Sequence, residues 1–132
     1  MPHTVVNPAS LPAPSGFSHG VRAGSAVHLA GQTALDARMR IVEGGIVAQF
    51  RQALSNVLAT LREAGGEPRH LVSLTIYLTD IADYQRRGTE IGAVYRELIG
   101  EWYPAMAGVG VTALWQPEAL VEIQGVAVVS DP

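Results

Sequence analysis

The chain has 132 residues, a net charge of −3, and 48% hydrophobic against 16% charged side chains. That composition suits one compact domain with a real core and excludes a disordered tail. There is no cysteine, and all nine basic residues are arginine, which excludes disulfides, thiolate nucleophiles, metal–thiolate centres and any lysine Schiff base. The acidic balance gives no electrostatic case for nucleic acid or an anionic membrane. No apolar run reaches the roughly 18–20 residues of a membrane span. Met1-Pro2-His3 lacks the basic-then-apolar pattern of a signal peptide, so a cytoplasmic location is expected.

Residues 1–18 carry Pro2, Pro8, Pro12, Pro14 and Gly16 and read as an extended leader, its first 15 residues preceding the body of a single 1–132 domain. Val21 to Ala30 reads as a hairpin turning at Gly24-Ser25, ended by Gly31-Gln32. Asp36 to Glu43 reads as a loop. From Gly45 the period changes: Val47, Phe50, Leu54, Val57, Leu58 and Leu61 recur at three and four, predicting a helix with Gln49, Arg51, Gln52, Ser55 and Arg62 on its polar side. Gly65-Gly66 stop it. Leu71 to Leu78 alternates apolar and polar residues, predicting a half-buried strand. Asp83 to Ile99 predicts a second helix, ended by Gly100. Ala105–Leu114 and Leu120–Val129 predict two further strands, joined around Gln116-Pro117. This order suggests an α+β layer, one sheet with both helices on one face. A core this small makes oligomerisation a reasonable expectation.

His3, His19, His28 and His70 show no metal-ligand spacing, so no metal is expected. Glu122 lies on an apolar strand, sharing its face with Leu120, Gln124, Val126 and Val128. A carboxylate there must be paired, hydrogen-bonded or protonated. It is either a general acid/base or a structural acceptor of backbone N–H groups. The glycines Gly108 and Gly110 weaken a strand unless a ligand or a neighbouring subunit approaches the backbone, and Phe17, Met106 and Trp115 offer apolar walls for such a site. Pro2 would offer a secondary amine if the initiator methionine were removed. The scattered arginines read as a solvated surface.

Gly16-Phe17-Ser18-His19-Gly20-Val21, Ala30-Gly31-Gln32, Thr79-Asp80, Gly100, Pro104-Ala105 and Val121-Glu122-Ile123 occur in an order and spacing that resembles the Rid (RidA-like) superfamily, over roughly residues 13–129. The resemblance implies a chorismate-mutase-like α+β fold and a homotrimer with ligand clefts between adjacent subunits. The best-known members hydrolyse reactive enamines and imines to a keto acid and ammonia. They hold the substrate carboxylate with an arginine after the Pro-Ala pair, where this chain has Met106. Such members often carry tyrosine at the position of Phe17 and serine at that of Ala30. Glu122 matches their water-positioning glutamate. A thioether cannot replace the two parallel charge-assisted hydrogen bonds of a guanidinium.

The expectation is therefore a small-molecule enzyme working in an intersubunit cleft, with Glu122 as general acid/base and His19 carrying protons at the rim. Phe17, Ala30, Met106, Gly108 and Trp115 would shape the pocket. The substrate would be an enamine, imine or related carbonyl compound, less anionic or more apolar than a 2-imino acid, undergoing hydrolysis, tautomerisation or C–C cleavage. No cofactor is expected, and no nucleic-acid or membrane partner. A non-catalytic ligand-binding or regulatory trimer is the alternative, and an endoribonuclease is disfavoured by the acidic charge.

Overall fold

The three- and four-residue spacing from Gly45 forms helix α1 (Gly45–Glu63), whose buried face includes Phe50, Leu54, Val57, Leu58 and Leu61. It ends in a Schellman turn: Gly65 N–H donates to Arg62 O at 3.0 Å and Gly66 N–H to Leu61 O at 2.9 Å. Gly65 stands at φ 93°, a conformation that suits glycine. Gln49, expected on the polar side, is buried instead. Its amide donates to Glu118 O at 3.1 Å and accepts from Leu120 N–H at 2.8 Å, so helix burial is made possible by two hydrogen bonds that tie α1 to a loop.

The computed structural model describes residues 3–130, and Pro2 lies outside them. Six strands form one sheet: β1 (Thr4–Val6), β2 (Gly20–Ala23), β3 (Ala26–Gln32), β4 (Leu71–Leu78), β5 (Ala105–Gly110) and β6 (Val121–Val128). Their order is β1-β2-β3-β6-β4-β5, antiparallel except for the parallel pair β4–β5. The leader is thus not wholly extended coil. Thr4–Val6, ahead of Pro8, pairs with β2, and Val6 enters the core. The last two predicted strands are shorter at their ends than expected and flank β4 rather than each other.

The second helical region starts earlier than predicted and is broken. Asp80 caps α2 (Ile81–Arg86) by accepting from Asp83 N–H at 3.0 Å. Arg87 leaves helical geometry, and α3 (Gly88–Leu98) follows. α1 packs on β3 and β6, and α3 lies beside α1, so the helices cover one face of the sheet. Ile91, Val94 and Tyr95 join the same core as Val27, Leu74, Ile123 and Ala127. Among the described residues no helix is long and apolar enough to cross a membrane.

Candidate active site

Alternation along β6 sends Val121, Ile123, Gly125 and Ala127 into the core beneath the helices. Glu122, Gln124, Val126 and Val128 therefore lie on the opposite, open face. Cross-strand register extends that face: Tyr77 of β4 stands beside Glu122, Thr75 beside Gln124, and Ser73 beside Val126. On the other side of β6 the pairing with β3 shifts between Leu29 and Gln32, and this irregularity places Gly31 under the Glu122 side chain. A Cβ at position 31 would overlap Glu122 Oε2 and lie 2.9 Å from its Cδ. Glycine is what lets the carboxylate lie across β3.

Glu122 makes no hydrogen bond or ion pair with any described residue. Burial pushes its pKa above the ordinary glutamate value of 4.5. The backbone N–H partners that a structural carboxylate would need are absent among the described residues. A half-buried, unpaired carboxylate with a raised pKa can accept a proton from water and return it.

The other sequence candidates fall in two places. His19 is buried, and all its polar atoms are engaged. Its backbone N–H donates to Asn7 Oδ1, its Nε2 pairs with Pro12 O, and its Nδ1 pairs with Gln32 Nε2, each at 2.8 Å. Phe17 packs edge-on against the same ring, with centroids 5.4 Å apart. His19 O accepts from Ala30 N–H at 2.8 Å, which prolongs the β2–β3 pairing to the residue before Gly31. Phe17, His19 and Ala30 thus converge near the Glu122 end of β3, with His19 strapping the leader down. An imidazole with both nitrogens occupied has no site left for carrying a proton to a ligand.

Met106 and Gly108 lie elsewhere. The register Leu74↔Met106 and Ile76↔Gly108 puts them on the helix side of the edge strand β5. Met106 lines a cavity of about 240 Å³ with Phe50, Ile76, Tyr84, Ile91 and Tyr103. Burial raises the pKa of Tyr84. Burial, and then the neighbouring Tyr103, pushes Tyr95 up to about 12. Within the chain, Met106 and Glu122 are therefore on opposite faces of the sheet. Gly108 has open space where a Cβ would stand, whereas a Cβ at Gly110 would come within 3.0 Å of Ile81 Cδ1, so the close neighbour of Gly110 is its own chain. Trp115 is 90% exposed and is not part of the cavity lining. Among the described residues no three His, Asp or Glu side chains converge on a metal site.

The family model for endoribonuclease L-PSP, which describes the YjgF/RutC/RidA proteins, matches residues 8–129. The chain belongs to the Rid superfamily. A RutC family protein of Pyrococcus horikoshii is 34% identical over 125 residues, covering 93% of this chain and 95% of the relative. A Rid relative from Capra hircus, named 2-iminobutanoate/2-iminopropanoate deaminase, is 32% identical over 126 residues, covering 94% of this chain and 88% of the relative. The crystal structure of RidA from the Antarctic bacterium Psychrobacter sp. superposes with a TM-score of 0.84 at 30% identity, over 96% of this chain and 99% of that one. Within this Rid fold, sequence reasoning found Glu122 but missed Gly31 and Tyr77. In the sequence alone Gly31 marks the end of a strand and Tyr77 is one more residue of a strand's polar side. Only the pairing of β3 and β4 with β6 brings them to the carboxylate.

Proposed function

We propose that the protein is an imine/enamine hydrolase in which Glu122 activates water, working in clefts between the subunits of a homotrimer. The observation that carries this reading is the unpaired carboxylate lying over Gly31, its pKa raised by burial. In the reaction, water adds to the C=N carbon while Glu122 takes a proton from it, and the π pair moves to nitrogen, which is protonated. Collapse of the carbinolamine to C=O then breaks the C–N bond and releases ammonia. The deaminase name of several relatives supports this chemistry.

A cleft shared by two copies fits the placement of Met106 and Glu122 on opposite faces, since one chain alone cannot bring them together. All six residues of the edge strand β5 are exposed, as are the open-face residues Val5 and Val128. Unpaired edges and apolar sheet faces of this kind are where second copies pack. Ribonuclease activity is poorly served: Arg51, Arg69, Arg86 and Arg87 each pair with a carboxylate, leaving their charge largely compensated.

The test is keto-acid and ammonia release from freshly generated 2-imino acids of increasing side-chain size. We expect kcat/KM to rise with pH through a limb above the ordinary glutamate range, and Glu122→Gln to lower it by about a hundredfold or more. Equal turnover by wild type and Glu122→Gln would remove Glu122 from the mechanism. Ligand binding without any turnover would favour a non-catalytic binding trimer.

A further inference from the structure

The cavity beside Met106 has a mouth whose chemistry the hydrolase reading leaves unused. Residues 88, 92 and 96 recur at four along α3 and share one stripe of the helix. The first two are glycines, and all three line the cavity. A Cβ at Gly88 would meet nothing, and at Gly92 the nearest atom is Arg96 Nη1, at 3.3 Å. The Arg96 side chain thus folds back over the bare backbone of its own helix toward the cavity.

Its guanidinium makes no hydrogen bond or ion pair with any described residue, unlike Arg51, Arg86 and Arg87 on the same helical layer. Among the described residues Arg96 is the only charged one in the lining. The wall beside it is fixed: Tyr95 Oη donates to Trp102 O at 2.5 Å, and its ring stacks on Tyr103 with centroids 5.4 Å apart.

We propose that this cavity takes the aromatic or branched apolar side chain of a carboxylic-acid ligand, whose carboxylate is held by Arg96. One uncompensated guanidinium at the rim of an apolar chamber matches one negative charge on an apolar body, with two parallel N–H···O bonds. At about 240 Å³ the chamber is smaller than the roughly 300–1,000 Å³ of drug-sized pockets. One ring or one branched chain fills it. Placed in catalysis, the inference rests on the imine-hydrolase reading and names its substrates as 2-imino acids with bulky apolar side chains. The binding itself does not require that reading.

Calorimetric titration of the full chain with 3-phenylpropanoate, 3-phenylpropanamide and propanoate tests it. The phenyl acid should bind at least tenfold more tightly than either its amide or propanoate. Arg96→Gln should weaken the acid about tenfold, equivalent to about 1.4 kcal/mol, and leave the amide unchanged. Gly88→Leu, which places a side chain in the open space, should abolish binding while the melting temperature holds. Equal affinity for acid and amide, no binding of the acid, or indifference to Arg96→Gln would each overturn the proposal. Carboxylate-selective binding without turnover of any imine would sink the hydrolase reading alone. Turnover with an unchanged KM in Arg96→Gln would sink the carboxylate site alone.

Discussion

The two faces of the sheet are built from similar strands and meet opposite fates. Beneath the helices, Val27, Leu74, Val121, Ile123 and Ala127 are almost wholly removed from water, and no buried side-chain polar atom among the described residues lacks a partner. On the other face, a row running Val5–Val21–His28–Val126–Ser73–Ala105 remains at least partly open, and one unpaired carboxylate sits between Gly31 and Tyr77. The covered face is where stability resides. The open face keeps apolar surface and a half-buried carboxylate with no protein partner among the described residues, neither of which the fold needs for its stability.

The largest effect expected from this contrast is on folding. Leu58→Ala, at a position 1% exposed, should cost about 2–5 kcal/mol in urea unfolding. Val128→Ala, at a position 47% exposed, should stay within about 0.5 kcal/mol for the isolated subunit. Comparable losses from the two would break the division between faces. Next in size is Gly31→Ala. The methyl must displace the mobile end of Glu122, so folding should change by no more than about 1 kcal/mol while imine turnover falls about tenfold or more. Turnover that survives the displacement would show that the carboxylate need not lie over β3.

The smallest effect is on the pH dependence of stability. Burial raises the pKa of Glu122 in the folded chain, so the folded state binds a proton more readily than the unfolded one. Glu122 therefore costs stability as pH rises from the ordinary glutamate range through its raised value. Glu122→Gln should melt slightly higher than wild type at neutral pH, and the gap should close below the ordinary glutamate pKa. A gap that widens on acidification would mean that the carboxylate has a stabilising partner.

Much of the fold was legible because its signals are local. The spacing of Phe50, Leu54 and Leu61 and the alternation of Leu74, Ile76 and Leu78 each lie within one element. The misses have nameable causes. Thr4–Val6 was hidden by the prolines that follow it, and the break at Arg87 by apolar spacing that runs on through it. Gln49 was misplaced because a buried amide is acceptable only when distant groups, here Glu118 and Leu120, complete its hydrogen bonds. At the site, a lone carboxylate on an apolar strand pointed to Glu122. Alternation states that a strand has two faces but not which face it shares with another strand. The separation of Met106 from Glu122, and the meeting of Tyr77 and Gly31 with Glu122, follow from pairings between residues far apart in sequence.

The edge strand β5 has a consequence for handling the protein. Ala-Met-Ala-Gly-Val-Gly runs along the sheet boundary without a charge or a proline, all six residues exposed. Natural edges are commonly blunted by such gatekeepers, and an unguarded one is a template for cross-β growth. Two glycines, poor strand formers, are its only built-in restraint. A single copy of the chain, held dilute or in mild denaturant, should therefore precipitate through this strand before it unfolds, and in the proposed trimer association would protect against fibre formation as well as build a pocket.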